Sequence, residues 1–286
     1  MTRAGTPVAQ LRRLRGVLRQ ERESTGLTQK DVADALDWSL SKLIRIEKGP
    51  VGISVTDLKA LLLQYQITDK DRVNQLVEMA RGARQPAWWD KYRDMSSPQF
   101  LRFLGLEASA IRLRQLQITV VPGILQVPEY ARTMITPTET VADRIDRGVA
   151  IRMERQKLIG ADGPEMFFIV DESVLHRSIG GPDVMRAQLL RLIELSDQPN
   201  VGIQVLPFTA GMHQGMRSSF EIFELSEAEN DYALLIEQPY QDTLIDETSD
   251  EVVEYVNLFM ELEKLALSPD DSVQLIERVL AQMEES

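Results

Sequence analysis

The chain has 286 residues, of which 43% are hydrophobic and 27% charged, and its formal net charge at pH 7 is −12. This length allows two domains with buried cores. The absence of cysteine excludes disulfides, a thiol nucleophile and a cysteine-bound metal site, and it fits a reducing compartment. No apolar run approaches the roughly 20 residues of a membrane span. The basic N-terminus is not followed by the apolar stretch of a secretory signal, so we expect a cytoplasmic protein.

The charge is divided unevenly along the chain. Residues 1–85 carry 15 Lys and Arg against 10 Asp and Glu, whereas residues 86–286 carry 17 against 34. Because contacts with phosphates need local positive charge, this division predicts a DNA-binding head joined to a body with another role. The acidity is concentrated in residues 224–286, where 18 acidic residues face only Lys264 and Arg278. We interpret this acidity as solvated helix faces; the alternative is a surface that repels DNA.

The first 85 residues predict a compact bundle of five helices. A first helix is expected from near Pro7 to a point before Gly26, with leucines repeating along one face. The second and third helices are short and lie within residues 27–49. Capping boxes are expected to begin the fourth and fifth helices, formed by Ser54 with Asp57 and by Thr68 with Asp71.

Residues 27–49 predict two short helices joined by a tight turn. Thr28 is placed to cap the first helix with Asp31 as its partner, and Ser39 is placed to cap the second. The small side chain of Ala33 lets the two helices cross closely. Gly49 and Pro50 follow the second helix, as helix-ending residues do.

The outward face of the second short helix is the candidate site for contact with DNA. Leu40, Ser41, Lys42 and Arg45 face away from the apolar side, near the beginning of that helix. A recognition helix presents this part of its surface to the major groove. A plain helical hairpin without a role in nucleic-acid binding is the alternative.

This stretch resembles the helix-turn-helix of the XRE family of phage-repressor-like regulators. The matching residues are Thr28-Gln29, Ala33, Ser41-Lys42-Leu43 and Arg45-Ile46-Glu47-Lys48-Gly49. The resemblance implies that Gln29 contacts a phosphate and that Leu40, Ser41 and Arg45 read bases. The predicted DNA-contacting set is therefore Gln29, Ser39, Leu40, Ser41, Lys42 and Arg45.

The same resemblance implies a structural pair and reveals one departure. Glu47 matches a buried carboxylate that pairs with an arginine of the first helix, here Arg22. Asp37 stands where the family usually has glycine in the turn. Because aspartate tolerates a left-handed backbone better than most residues, we expect the turn to be kept.

The regular pattern breaks around residues 84–89, and we place the domain boundary between residues 85 and 86. Trp88 and Trp89 beside it are interpreted as a packing anchor, the alternative being a platform for a ligand. Beyond the boundary, alternating runs predict strands and longer periods predict helices, which gives an α/β or α+β domain ending in a helical pair. The strands are expected at 111–117, 165–170, 201–206, 218–224 and 232–237, and the helices at 128–136, 141–159, 183–196, 247–266 and 270–284.

The body resembles the domain of unknown function that follows an XRE head in many actinobacterial regulators. The resemblance covers roughly residues 86–280 and implies no activity. It offers as a candidate partner a small acidic protein encoded by an adjacent gene. It is carried by Trp88-Trp89-Asp90-Lys91-Tyr92-Arg93, Val121-Pro122-Gly123-Ile124-Leu125-Gln126, Gly180-Gly181-Pro182-Asp183-Val184-Met185, Pro199-Asn200-Val201, Val205-Leu206-Pro207-Phe208 and Leu267-Ser268-Pro269.

The sequence lacks the usual signals of catalysis. It contains no GxxxxGK[ST], GxGxxG, GxSxG or HExxH motif. His176 and His213 are its only histidines, which excludes a histidine-rich metal site. Asp171 and Glu172, which follow a predicted strand, either act as acid and base or form a strand-to-helix junction. We expect no enzymatic activity, no cofactor and no bound metal.

One loop of the body is a candidate contact for a partner or an effector. Residues 207–219 lie between two predicted strands, and Gly211 and Gly215 allow close approach of the backbone. The alternative is a long surface connection. The candidate contact residues are Phe208, Met212, His213, Met216 and Arg217.

Together these features predict a sequence-specific, DNA-binding transcription regulator that acts as a homodimer on an inverted-repeat operator. The alternatives are an antitoxin-like interaction protein that regulates its own operon and an enzyme with a DNA-binding head. Apolar residues of the segment 247–284 pack either between subunits or in the core of one subunit. They are Val252, Val256, Leu262, Leu275, Ile276 and Val279.

Overall fold

The computed structural model describes residues 6–48, 52–227 and 231–284. The chain divides into two compact units, Met1–Lys91 and Tyr92–Ser286. The predicted boundary lies a few residues before this division, on the N-terminal side of a short 3₁₀ helix at Trp88–Tyr92. In that helix the rings of Trp88 and Trp89 meet edge to face, with centroids 5.5 Å apart.

The head is a five-helix unit, as predicted. Its helices are α1 (Pro7–Ser24), α2 (Gln29–Ala35), α3 (Leu40–Lys48), α4 (Val55–Gln64) and α5 (Lys70–Gly82). Aliphatic side chains from all five helices form one buried core. That core includes Leu14, Leu18, Val32, Leu43, Leu58, Leu61 and Leu76.

The helix caps of the head match the sequence with one exception. Ser54 Oγ accepts a hydrogen bond from the backbone N–H of Asp57 at 2.9 Å, as expected for the start of α4. The prediction that Thr68 caps α5 was wrong, because Asp69 accepts from the backbone N–H of Arg72 at 2.8 Å. An aspartate is at least as good a cap as threonine, and here it stands one residue nearer the helix.

The body has a six-stranded mixed sheet with helices, where five strands were predicted, and it ends in two helices, as predicted. Its strands are β1 (Arg112–Gln117), β2 (Glu165–Asp171), β3 (Val201–Leu206), β4 (Phe220–Glu224), β5 (Tyr232–Ile236) and β6 (Thr243–Ile245). Its helices are α6 (Pro98–Ser109), α7 (Pro128–Ile135), α8 (Ala142–Arg155), α9 (Glu172–His176), α10 (Pro182–Ser196), α11 (Asp250–Leu265) and α12 (Pro269–Glu284).

Two elements of the body escaped the sequence analysis. Helix α6 is buried on most sides from Phe103 to Ser109, so it lacks the polar face that marks an amphipathic helix. Strand β6 has three partly buried residues and lies at the edge of the sheet. A strand of three residues contains too little alternation of apolar and polar side chains to be recognised from the sequence.

The sheet has the order β3-β2-β1-β4-β5-β6. Strands β1, β2 and β3 run parallel, whereas β4, β5 and β6 pair antiparallel. Successive side chains of a strand point to opposite faces, so each strand contributes to two layers. On one face, Leu116, Phe220 and Leu234 belong to a core shared with α11. The other face carries Gln115 and Glu221, which are direct partners in the register of β1 and β4.

Most of the apolar residues that the sequence singled out in the terminal helices belong to the core of a single chain. Val252 of α11 and Ile276 of α12 are fully buried within it, and Val256, Leu262 and Val279 are at most 6% exposed. Leu275 is partly buried. For the five buried residues, the alternative that they pack between subunits was therefore wrong, because one chain already removes them from water.

Candidate nucleic-acid interface

The turn between α2 and α3 has the geometry that the sequence predicted. Asp37 adopts a left-handed backbone with φ of 52°, and the N–H of Trp38 donates to the carbonyl of Ala33 at 2.9 Å. Thr28 and Asp31 form a complete capping box at the start of α2. Ser39 Oγ accepts from the backbone N–H of Lys42 at 3.2 Å and so caps α3. The predicted helix-ending residues Gly49 and Pro50 lie outside the described residues.

A buried polar network ties α3 to the rest of the head. Arg22 Nε donates to Glu47 Oε1 at 2.8 Å, and Arg22 Nη2 donates to Glu47 Oε2 at 3.2 Å. The Glu47 side chain is fully buried and the Arg22 side chain is 10% exposed. The hydrogen bond to Glu47 raises the pKa of Arg22 above its ordinary value, although burial opposes this. The network fixes the end of α3 against α1, which sets the position of the helix.

Gln29 belongs to the same network. Its Nε2 donates to Glu47 Oε2 at 2.7 Å, so part of the amide predicted to contact a phosphate already has an internal partner. The side chain is partly exposed. In the described structure Gln29 therefore orients Glu47. Its contact with a phosphate stays a prediction.

The exposed face of α3 is built from polar and apolar side chains together. Leu40 is 43% exposed, and Ser41 and Arg45 are also exposed. Arg45 Nε donates to the carbonyl of Ser41 at 3.3 Å, which holds the stem of the arginine along the helix. Ile44, at 37% exposure, also lies on this face, and the sequence analysis missed it. The sequence could have shown this, because Ile44 follows Leu40 by four residues and residues four apart share a face of a helix.

Lys42 does not lie on that exposed face. Its Nζ is 2.8 Å from Asp57 Oδ1 and 3.6 Å from the centroid of the Trp38 ring. The hydrogen bond from Lys42 lowers the pKa of Asp57 below its ordinary value. This lysine is thus held by an acidic and an aromatic neighbour within the head, an arrangement that the sequence did not suggest.

The candidate loop of the body exposes its apolar residues. Phe208, Met212 and Met216 are 59%, 96% and 57% exposed. Gly215 is buried, and an added Cβ would lie 2.7 Å from Leu262 Cδ1, so the loop is anchored by close backbone approach. This geometry is compatible with both interpretations of the loop, a contact site for a partner and a long surface connection.

The two polar residues of the loop, His213 and Arg217, differ in their exposure to solvent. His213 is partly buried, and its Nδ1 has no hydrogen-bond partner among the described residues. Arg217 is exposed and lines a cavity of about 550 Å³ together with Tyr240 and Tyr255.

Asp171 and Glu172 form the strand-to-helix junction that was one of the two interpretations. Asp171 caps α9 by accepting from the N–H of Ser173 at 2.9 Å. Glu172 Oε2 accepts from the N–H of Phe208 at 2.7 Å. Among the residues that the structure describes, no group of three or more acidic or histidine side chains is arranged to hold a metal ion.

Two crossed helices with a left-handed turn and an exposed second helix define a helix-turn-helix domain, a class that binds DNA. A family model described as a helix-turn-helix domain matches residues 9–76. A second model, described as a domain of unknown function (DUF5753), matches residues 100–278, which is more than half of the chain. The chain therefore belongs to the DUF5753 family, and its predicted resemblance to XRE-type regulators with such a domain is confirmed.

Other comparisons add no relatives. Neither the comparison with curated proteins nor that with solved structures gives a match. Within residues 6–48, 52–227 and 231–284, no helix is both long and apolar enough to cross a lipid bilayer. The helix-turn-helix domain is therefore the feature on which a functional assignment rests.

Proposed function

We propose that this chain is a sequence-specific transcription regulator that acts in the cytoplasm, binds DNA as a homodimer and has no enzymatic activity. The observation that carries the proposal is the exposed face of α3, formed by Leu40, Ser41, Ile44 and Arg45. Arginine recognises the two acceptors of guanine, and exposed aliphatic groups contact the methyl group of thymine. The positive charge of residues 1–85 supports binding to phosphates.

The dimer follows from the usual geometry of helix-turn-helix proteins. One recognition helix reads few base pairs, so these proteins bind two half-sites separated by one turn of DNA, about 34 Å. The expected operator is therefore an inverted repeat. Because Val252, Val256 and Leu262 of α11 pack within one chain, the proposed contact between subunits has to use exposed residues. Met260 and Leu265 are the exposed apolar residues of α11, at 44% and 47% exposure.

The test is selection of duplexes from a random pool by the full-length chain, followed by footprinting. We expect one enriched sequence with two inverted half-sites. Ser41→Glu, which places a negative charge on α3, should abolish the enrichment. Thr56→Glu, an exposed change of equal charge on α4, is the matched control and should preserve it. Failure to enrich any sequence would refute the proposal, and a single unrepeated site would refute only the dimer.

We further propose that the body receives its signal from a small protein partner. The supporting observation is the exposure of Phe208, Met212 and Met216 within one loop, because exposed apolar side chains are favoured at contact sites. His213 and Arg217 are the accompanying polar residues. If a partner binds the free and the DNA-bound forms differently, linkage requires that it change the affinity for DNA.

Calorimetry of the full chain with the product of an adjacent gene tests the partner. Phe208→Ala and Met212→Ala should weaken binding. Leu190→Ala, which truncates a 46% exposed leucine on α10, is the matched control and should not. Binding that both loop variants leave unchanged would exclude the loop, and absence of binding would exclude that partner. An antitoxin-like role predicts that the selected DNA sequence occurs only at the chain's own operon.

A further inference from the structure

A cavity of about 590 Å³ lies within the body, on the polar face of the sheet. Gln115, Gln117 and Glu221 line it from β1 and β4, and Glu237 lines it just beyond β5. Residues of helices α6 and α8 also line it. Exposed residues at 240–242 mark the side that opens to solvent. This volume is within the range of small-molecule sites.

Buried amide oxygens in this cavity lack partners. Gln115, Gln117 and Gln126 are at most 4% exposed, yet the Oε1 atom of each accepts no hydrogen bond within the described part of the chain. The orientation of two amides is fixed by their other ends. Gln117 Nε2 donates to Glu237 Oε1 at 2.5 Å, and Gln126 Nε2 donates to the carbonyl of Val121 at 2.9 Å. Buried acceptors without partners are costly and rare, so they need a donor that the chain does not provide.

The side chains that line the cavity also carry more acidic groups than cationic groups to balance them. Arg155 is neutralised by Glu107, with Nε and Nη2 at 2.8 and 2.6 Å from the carboxylate oxygens. The other charged side chains that line the cavity are one cationic residue, Arg152, and three acidic residues, Glu221, Glu237 and Asp242. Burial raises the pKa of both glutamates, and it lowers the pKa of Arg152 to about 10. An added positive charge would relieve this imbalance.

We propose that the cavity binds a small organic molecule that carries a protonated amine or guanidinium group and at least one oxygen acceptor. The N–H groups of the ligand donate to the orphaned oxygens of Gln115, Gln117 and Gln126 and to the two glutamates. Arg152 Nε, which has no partner among the described residues, donates to the oxygen of the ligand. Phe103 supplies an apolar wall. The binding is a property of the body and does not depend on the DNA-binding role.

Matched pairs of probes test the proposal with the full-length chain. 4-Guanidinobutan-1-ol is compared with 4-ureidobutan-1-ol, and glucosamine with glucose, because the neutral member of each pair carries no protonated amine or guanidinium group and otherwise has nearly the same shape. Calorimetry and thermal unfolding should show saturable, one-to-one binding of at least one cationic probe. Its neutral counterpart should bind about tenfold more weakly or worse. No binding by either cationic probe, or equal binding by the neutral counterpart, would overturn the proposal.

Two buried glutamines provide a sharper control. Gln115 makes no side-chain hydrogen bond among the described residues, whereas Gln188 donates to the carbonyl of Leu125 and accepts from the N–H of Val127. Gln115→Met should therefore keep or raise the melting temperature while weakening the binding of the probe. Gln188→Met should lower the melting temperature. A Gln115→Met chain that binds the probe as the wild type does would place the probe elsewhere and refute this site.

The glutamates are tested in the same way. Glu221→Gln replaces the carboxyl group, which can ionise when a cation binds, with an amide of nearly the same shape, and it should weaken the binding of the cationic probe about tenfold or more. Glu263→Gln, an exposed change on α11, is the control and should leave binding unchanged. Unchanged binding in Glu221→Gln would show that the cation does not lie in this cavity.

Discussion

Lys42 Nζ, on α3, lies 2.8 Å from Oδ1 of Asp57, on α4. Both side chains are about one-third exposed, at 33% and 32%, so solvent screens the pair. Such pairs contribute roughly 0–1 kcal/mol to stability. We therefore expect that a DNA phosphate competes with Asp57 for the lysine and that the strength of the pair determines how readily Lys42 is released.

Removing the acidic partner should strengthen DNA binding. Asp57→Asn keeps the shape of the side chain and frees Lys42 for a phosphate, so affinity should rise by about two- to fivefold for all sequences, within the strength of an exposed pair. Lys42→Ala should weaken binding to all sequences and reduce the slope of log affinity against log salt by up to about 0.9. Fluorescence titrations at several salt concentrations measure both.

Lys70→Ala is the control for loss of one positive charge outside the helix-turn-helix, since Lys70 is exposed at the start of α5. It should change the salt slope less than Lys42→Ala does. If Lys42→Ala and Lys70→Ala behave alike while Asp57→Asn has no effect, Lys42 does not reach the DNA.

The buried pair should determine the stability of the head. Glu47→Ala leaves Arg22 buried without its partner, at a cost of roughly 3–5 kcal/mol in the free energy of unfolding. Glu78→Ala is the matched control, because Glu78 pairs with Arg81 at 2.6 Å on the surface, where the side chains are more than half exposed. That change should cost less than about 1 kcal/mol. Chemical denaturation followed by circular dichroism gives both values, and similar losses would contradict the prediction.

Arg45 should read a base rather than only add charge. Arg45→Ala is expected to lose about 1–3 kcal/mol of discrimination at one position of each half-site. Arg45→Lys keeps the charge but lacks the planar fork, so it should retain the salt slope and still lose discrimination. Binding to a panel of single-base operator variants measures this. An unchanged ranking of the panel in both variants would show that Arg45 contacts no base.

Glu221 should make the stability of the body depend on pH. Burial raises its pKa well above the ordinary 4.5, with repulsion from Glu107 and Glu237 adding to this and Arg155 opposing it. Above pH 4.5 the unfolded chain releases a proton that the folded chain still holds, so the contribution of Glu221 to stability falls as pH rises. Glu221→Gln cannot ionise and should gain stability relative to the wild type.

That gain should be larger at about pH 8 than at about pH 5, because the wild type must either hold the proton or bury the charge at the higher pH. Thermal unfolding at both pH values, without added probe, measures the difference. The titrating groups that do not interact with Glu221 are common to both chains and cancel, so the difference reports Glu221 together with its acidic neighbours Glu107 and Glu237. A difference between the two chains that does not vary with pH would contradict the raised pKa.

The sequence by itself determined those features whose geometry depends only on residues close together in the chain. A helix cap, a left-handed turn and an apolar stripe need only the residues within one or two turns, so Thr28, Asp37 and the core leucines of the head could be placed in advance. The pair of Arg22 and Glu47 came instead from the resemblance to a family. Where two local signals competed, as at Thr68 and Asp69, the prediction failed by one residue.

Only the tertiary structure decided what lies between elements that are distant in the chain. Polar residues at alternate positions of β1 are typical of a solvent-exposed face, yet Gln115 and Gln117 are buried. Helices α6 and α8 cover that face, and Glu221 is brought beside Gln115 by strand pairing. The pair of Lys42 and Asp57 likewise depends on how α3 and α4 pack. A sequence pattern shows which way a side chain points along its own element, whereas the chemistry of a site depends on what the fold places opposite it.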